Sequence, residues 1–280
     1  MSKRFWSVVA AGALACTGVL ALAGVASGTS SLPTLNVALT GTKGISVSGS
    51  MVSGAVNVTS TFSGKAPGGP NANGPTFGLV RLNPGVTLQQ ADGAVQSHHG
   101  DLNALTPYGT LFVDATAPGT VQTVFTPGNY VALNITGNGQ PAFAQFTVKQ
   151  SSSPAALPAV RATQSAIEFG FRGPGVLHNG TMVREENRGW LVHMITLIGV
   201  RNAATGRKLM KALHAGHDNQ AFKLSDNAFV SLMGPASPGA MQQEVLHTKP
   251  GYYVEACFMD TIDGREHTQL GMERLVKVVK

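Results

Sequence analysis

The sequence predicts an all-β protein made of two tandem β-sandwiches, and three observations carry that expectation. Charged residues are only 12% of the chain, whereas glycine (34) and proline (15) are plentiful. Val/Thr-rich runs alternate in polarity between Gly, Pro and Asn turns, the period-two pattern of half-buried antiparallel strands. The same order of signals then occurs twice, on either side of the Ser/Pro/Ala stretch SSSPAALPA at 151–159, which lacks periodicity and reads as a linker.

Residues 1–28 stand outside that plan. Lys3 and Arg4 precede an apolar Ala/Val/Leu run, and small residues lead into a Ser/Thr stretch. This is the layout of a secretory signal peptide, with cleavage between Ala23 and Gly28. The protein is therefore expected to be extracytoplasmic (secreted, at the cell surface or in the periplasm), with no membrane span after cleavage. Lipid anchoring at Cys16 is disfavoured, because Ala13 is a poor residue three places before a lipidated Cys and the apolar run continues past it.

The first sandwich is expected over 33–150. Its strands are read in GSMVSGAVNVTSTFSG (49–64), FGLVRLNPG (77–85), TPGNYVALNIT (126–136) and AQFTVKQ (144–150). In AVNVTSTF, Ala55, Asn57, Thr59 and Thr61 share one face while Val56, Val58 and Phe62 share the other. The second sandwich, over 160–280, repeats the order with GPGVLHNGTMVREENRG (173–189), HMITLIGVRN (193–202), KPGYYVEACFM (249–259) and ERLVKVVK (273–280). Gly54 matches Gly180, Gly64 matches Gly189 and Tyr130 matches Tyr253, as expected of a duplicated unit of about 110 residues. In the last strand Leu275 stands apart from the parity of Val276 and Val278. KLMKALHAGHDNQAFKL (208–224) is the exception, its first part suiting a helical turn or two, and no other segment suggests a long helix.

The formal charge is +6, and losing Lys3 and Arg4 leaves 18 positive against 14 negative residues. The charges are scattered apart from RNAATGRKLMK (201–211), too weak a footprint for nucleic acid. Signal cleavage also removes Cys16 and leaves Cys257 alone, so no intramolecular disulfide forms. A single thiol in an exported chain points to intermolecular pairing, a reactive thiol, a metal ligand or a plain buried Cys.

In the second half His193 is followed by Cys257, His267 and Met272. Imidazole serves both copper oxidation states, whereas thiolate and thioether favour Cu(I). A trigonal His2Cys plane with a distant Met fully suits neither state, so little rearrangement accompanies electron transfer. At these residues the chain resembles the cupredoxins, the plastocyanin-like small blue copper proteins. Their C-terminal signature G-x-Y-x-x-x-C is met by Gly251, Tyr253 and Cys257, and H-x3-G-M by His267, Gly271 and Met272, with Val276 and Val278 beyond. Asn187, Gly189 and His193 in ENRGWLVHMITLIGV match the family's first histidine. The resemblance implies two cupredoxin-like Greek-key sandwiches and one copper ion. His193, Cys257 and His267 would be equatorial ligands and Met272 axial, serving electron transfer with a redox protein as partner, or copper carriage, and no catalysis.

Two departures stand out. Nine residues, FMDTIDGRE, separate Cys257 from His267 where the family has two to four, so the turn Asp260–Gly264 has to act as a hairpin extension. Met194 follows His193 where the family often has Asn, which would deprive the thiolate loop of a steadying hydrogen bond. The first half has Asn134 at the Cys257 position and Pro75 near the His193 position. It cannot build the same site and reads as a structural or docking partner. His98, His99 and Asp101, and likewise His214, His217 and Asp218, read as solvated surface, while Trp190 and Phe258 read as core. No hydrolase, Walker or dinucleotide motif is present. The alternative to a copper protein is a metal-free β-sandwich module that binds a partner or is purely structural.

Overall fold

The computed structural model describes residues 32–66, 74–137, 140–226 and 228–280, so the signal-like segment and Cys16 lie outside the described residues. In the first half the strands are β1 (Thr34–Thr40), β2 (Gly44–Gly49), β3 (Gly54–Ser63), β4 (Thr76–Leu82), β5 (Gly109–Thr116), β6 (Gly119–Phe125), β7 (Gly128–Asn134) and β8 (Ala142–Val148). Helix α1 (Leu88–Ser97) and a 3-10 turn (Leu102–Leu105) connect β4 to β5. The second half has β9 (Ala162–Ile167), β10 (Gly170–Arg172), β11 (Val176–His178), β12 (Met182–Asn187) and β13 (His193–Val200). Helices α2 (Ala203–His214) and α3 (Asp218–Phe222) follow, then β14 (Phe229–Ala236), β15 (Met241–Val245), β16 (Gly251–Ala256) and β17 (Glu273–Val279).

The strand order is the same in both halves. One layer runs β2–β1–β3–β6 in the first and β10–β9–β12–β15 in the second; the other runs β5–β4–β7–β8 and β14–β13–β16–β17, with β11 added at the edge. Tyr130 and Tyr253 make the same corner, each hydroxyl donating to the carbonyl four residues back, Thr126 or Lys249, at 2.7 Å. Burial follows the expected parity in part. Val56 and Val58 are buried while Thr59 and Thr61 are not, but Ala55, on the Thr face, is buried and bonds to Ala155, and Phe62 is half-buried. Val276 and Val278 face in while Leu275 turns to α2. The described residues are mostly strand with three helices: α2 starts earlier than the sequence suggests, and α1 lies where the sequence suggests none. Helix α2 begins at Ala203, because the Asn202 side chain accepts from the Thr205 amide and caps it,. Helix α1 carries a capping box between Thr87 and Gln90 on a largely polar segment, so capping rather than an apolar stripe starts it,.

The halves pack against each other. Strands β6 and β15 pair at Gln122 and Gln243 and join the two outer layers into one eight-stranded sheet. The Ser237 amide donates to the Leu111 carbonyl at 2.7 Å, and the Leu111 amide to the Ser237 hydroxyl at 3.0 Å. Residues 151–159 form no strand or helix and lie along both halves, with Ala155 O accepting from Ala55 and Pro158 O accepting from Gln243.

Asp114 on β5 is buried at this junction, with its carboxylate against Gly234 of β14; a Cβ there would come within 2.1 Å of Oδ1. Its Oδ2 has no hydrogen-bond partner, and burial pushes the carboxyl up to about 8. A folded-state value above the unfolded one means that its contribution is fully present below the unfolded pKa. The contribution shrinks as pH rises and is lost above the folded value. Asp114→Asn, which mimics the protonated form, is expected to gain on the order of 3 kcal/mol over wild type at pH 9 and little at pH 4. Urea unfolding at the two pH values measures the difference.

Candidate metal centre

His193 opens β13 after a loop shaped by Asn187. The Asn187 side-chain amide donates to the carbonyls of Leu191 and Ala236, both at 2.7 Å, and its Oδ1 accepts from Gly189 N–H at 2.9 Å. Gly189 has no room for a side chain: a Cβ would lie 2.3 Å from Glu168 Oε1 and 2.7 Å from His193 Nε2. Register shifts at Ile195, where β13 meets β14, mark a bulge beside the histidine, as is common where a strand must aim a side chain.

Cys257 follows β16, and its amide donates to Met272 O at 3.2 Å. The nine residues after it fold on themselves. Asp260 and Glu266 form an antiparallel bridge, Thr261 N–H donates to Arg265 O at 2.9 Å, and the Arg265 guanidinium holds Asp263 at 2.8 Å. The long insertion is therefore a miniature hairpin whose two ends lie side by side. His267 N–H closes it on Met259 O at 2.8 Å, and the turn His267–Leu270 brings Met272 N–H to His267 O at 3.0 Å.

These segments bring three donors together. His193 Nδ1 lies 3.1 Å from His267 Nδ1, while Cys257 Sγ lies 3.3 Å from His267 Nδ1 and 3.8 Å from His193 Nδ1. All three residues are fully buried, and they are the one such His/Cys/carboxylate group among the described residues. A trigonal ion with bonds of about 2.0–2.3 Å holds its donors about 3.5–3.8 Å apart, so small adjustments would admit one.

The surroundings set the protonation states. Burial pushes the Cys257 thiol up to about 12; the amides of Met194 and Met259, aimed at sulfur, draw it back, and Glu266 and Asp260 oppose them. Burial, then the neighbouring His193, lowers His267 to about 3. Burial also lowers His193, against the pull of Glu168. Glu168 Oε1 stands 3.5 Å from His193 Nε2 and accepts from the amides of Trp190 and Leu191. A carboxylate there favours the Nε2–H tautomer, leaving the Nδ1 lone pair directed at the other two donors. Convergent lone pairs beside a thiol, shut away from water, suit a soft or borderline cation.

Met272 is fully buried, and its backbone bonds to both Cys257 and His267. Over the rings lies the β9–β10 turn: Glu168 reaches His193, and Phe169, with φ 52°, packs edge-on to His267 at 5.3 Å. Neither turn residue was singled out by sequence, since only the fold brings this hairpin to the site. Phe258 is buried against Phe222, as expected. Trp190 corrects its expectation: it is 75% exposed, because its loop bonds through the backbone and leaves the indole outside. The first half has Asn134 in place of the cysteine, and its amide ties the carbonyls of Gly41 and Gly44 at 3.0 and 2.8 Å.

No protein-family model matches the chain, and no curated protein sequence does. Among solved structures, reduced auracyanin from Roseiflexus castenholzii is 15% identical, with 42% of this chain and 95% of that one covered at a TM-score of 0.26. Auracyanin A, a "blue" copper protein from Chloroflexus aurantiacus, is 16% identical, with coverage of 42% and 99% and a TM-score of 0.24. The copper nitrite reductase from Nitrosomonas europaea is 11% identical, with coverage of 88% and 93% and a TM-score of 0.24. Likenesses this slight carry no weight beside the side-chain geometry.

Proposed function

We propose that the protein is an exported, cupredoxin-like copper protein that binds one ion for electron transfer, its two sandwiches arising by duplication with the first copy silent. The observation that carries this reading is the convergence of His193 Nδ1, His267 Nδ1 and Cys257 Sγ in a fully buried spot. Copper bound there supplies a one-electron couple. His193 and His267 would hold it through Nδ1, Cys257 through its thiolate and Met272 through its thioether. Glu168, 3.5 Å from His193 Nε2, favours the tautomer that frees Nδ1, and the amides of Met194 and Met259 stabilise negative charge on sulfur,. Phe169 and the Glu168 turn keep water and substrates from the ion, which favours electron transfer over catalysis. The same burial would slow release of an ion, which makes copper carriage the lesser reading.

Titrating the purified mature protein with Cu(II) tests the proposal. An intense Cys-to-copper charge-transfer band should appear in the visible, saturate at one ion per chain, vanish in Cys257→Ser and weaken in His193→Ala. A protein that stays colourless at saturating copper would instead establish the metal-free module.

A further inference from the structure

We propose that the first sandwich holds the second one's metal loops in register through Asn103, a positioning residue in the turn Leu102–Leu105; this rests on the copper reading above. Asn103 Oδ1 accepts from the Val192 amide at 2.7 Å, one residue before His193. Its Nδ2 reaches the Asp260 carbonyl at 3.4 Å, three residues after Cys257. One side chain from the first half thus touches the loops that carry two of the three donors. Asp101 Oδ1 fixes it in turn, accepting from Asn103 Nδ2 and from its backbone N–H, both at 2.8 Å.

Within the second half the Met194 backbone amide already donates to Cys257 Sγ at 3.4 Å, but no side chain next to His193 ties the two loops. Met194, next to His193, has no polar side-chain atom able to tie the loops, and Val192 is fully buried. Without Asn103 its amide would lose a buried bond, which is costly when no water replaces it. Plain adhesion between the halves is already served elsewhere, by the Ser237–Leu111 pair and the Gln122–Gln243 pair. Those contacts touch neither loop. The first sandwich therefore adds, through Asn103, side-chain hydrogen bonds to both loops beyond the one backbone bond that Met194 makes to sulfur.

The test compares Asn103→Ala with Ser237→Ala in the full chain. Loss of an outer hydrogen bond to a ligand loop typically costs about 10- to 100-fold in metal affinity. Asn103→Ala should therefore release copper to a chelator about tenfold faster and shift the charge-transfer band, while Ser237→Ala, which loosens the same interface, leaves both unchanged. In the metal-free protein, alkylation of Cys257 should also quicken about tenfold in Asn103→Ala alone. Should Asn103→Ala not fold, Asn103→Ser carries the same comparison. Equal release rates, spectra and alkylation rates in Asn103→Ala and wild type would overturn the proposal, as would equal shifts in Ser237→Ala. If wild type takes up no copper the electron-transfer reading falls by itself, and alkylation still decides the role of Asn103.

Discussion

Arg274→Met is expected to destabilise the protein by about 3–5 kcal/mol at pH 8, the usual cost of stranding one member of a buried ion pair. Glu255 on β16 is fully buried in the second sandwich. One of its oxygens bonds to Arg274 of β17 and the other has no partner. Arg274 also donates to Gln164 Oε1 at 2.5 Å and Gly173 O at 3.0 Å, so it links β9 and β17 as well as carrying the counter-charge. Burial raises the Glu255 carboxyl, and Arg274 opposes the shift. Without the guanidinium the carboxyl rises further. A raised folded-state value takes stability away as pH climbs, so the deficit should be smaller at pH 5 than at pH 8, because falling pH favours the protonated carboxyl. The double variant Glu255→Gln/Arg274→Met, with no charge left to strand, should recover most of the loss. Urea unfolding at both pH values checks this; a deficit below about 1 kcal/mol, the range of solvated pairs, would refute it.

The legible parts of the sequence were those that depend on near neighbours. Alternation in AVNVTSTF and LVKVV revealed strands because a half-buried strand needs period two. Tyr130 and Tyr253 marked matching positions of the two halves, and the structure shows each closing the same local corner, its hydroxyl bonding four residues away. The order His193, Cys257, His267, Met272 exposed a candidate donor set, while the nine-residue gap obscured its geometry until the Asp260–Glu266 bridge closed it. What stayed hidden depends on the fold. Glu168 meets His193 from a hairpin 25 residues earlier, and Asn103 arrives from the other sandwich. Helix α1 escaped because its signal is a two-residue cap on a polar segment. The steadying bond to sulfur survives despite Met194, since the Met194 backbone amide supplies it at 3.4 Å, whatever its side chain.

Copper loading should release one proton per ion between pH 7 and pH 9, with the apparent affinity rising about tenfold per pH unit. Both imidazoles are already neutral there, because burial lowers His193 and takes His267 to about 3. The thiol is not ionised, because burial takes Cys257 to about 12. A thiolate bond to the ion therefore displaces one proton, and raising the pH favours binding. An ordinary cysteine, ionising near pH 8.5, would let the slope fade by pH 9, whereas the buried thiol should keep it. Calorimetry in two buffers of different ionisation heat counts the protons, and competition with a chelator at each pH measures the slope. A count of zero would mean that sulfur is ionised before the metal arrives. A count of two would mean that one ring starts out charged, contrary to its burial. One proton held by sulfur, with both rings bare, leaves the ion itself as the charge that turns the thiol into a ligand.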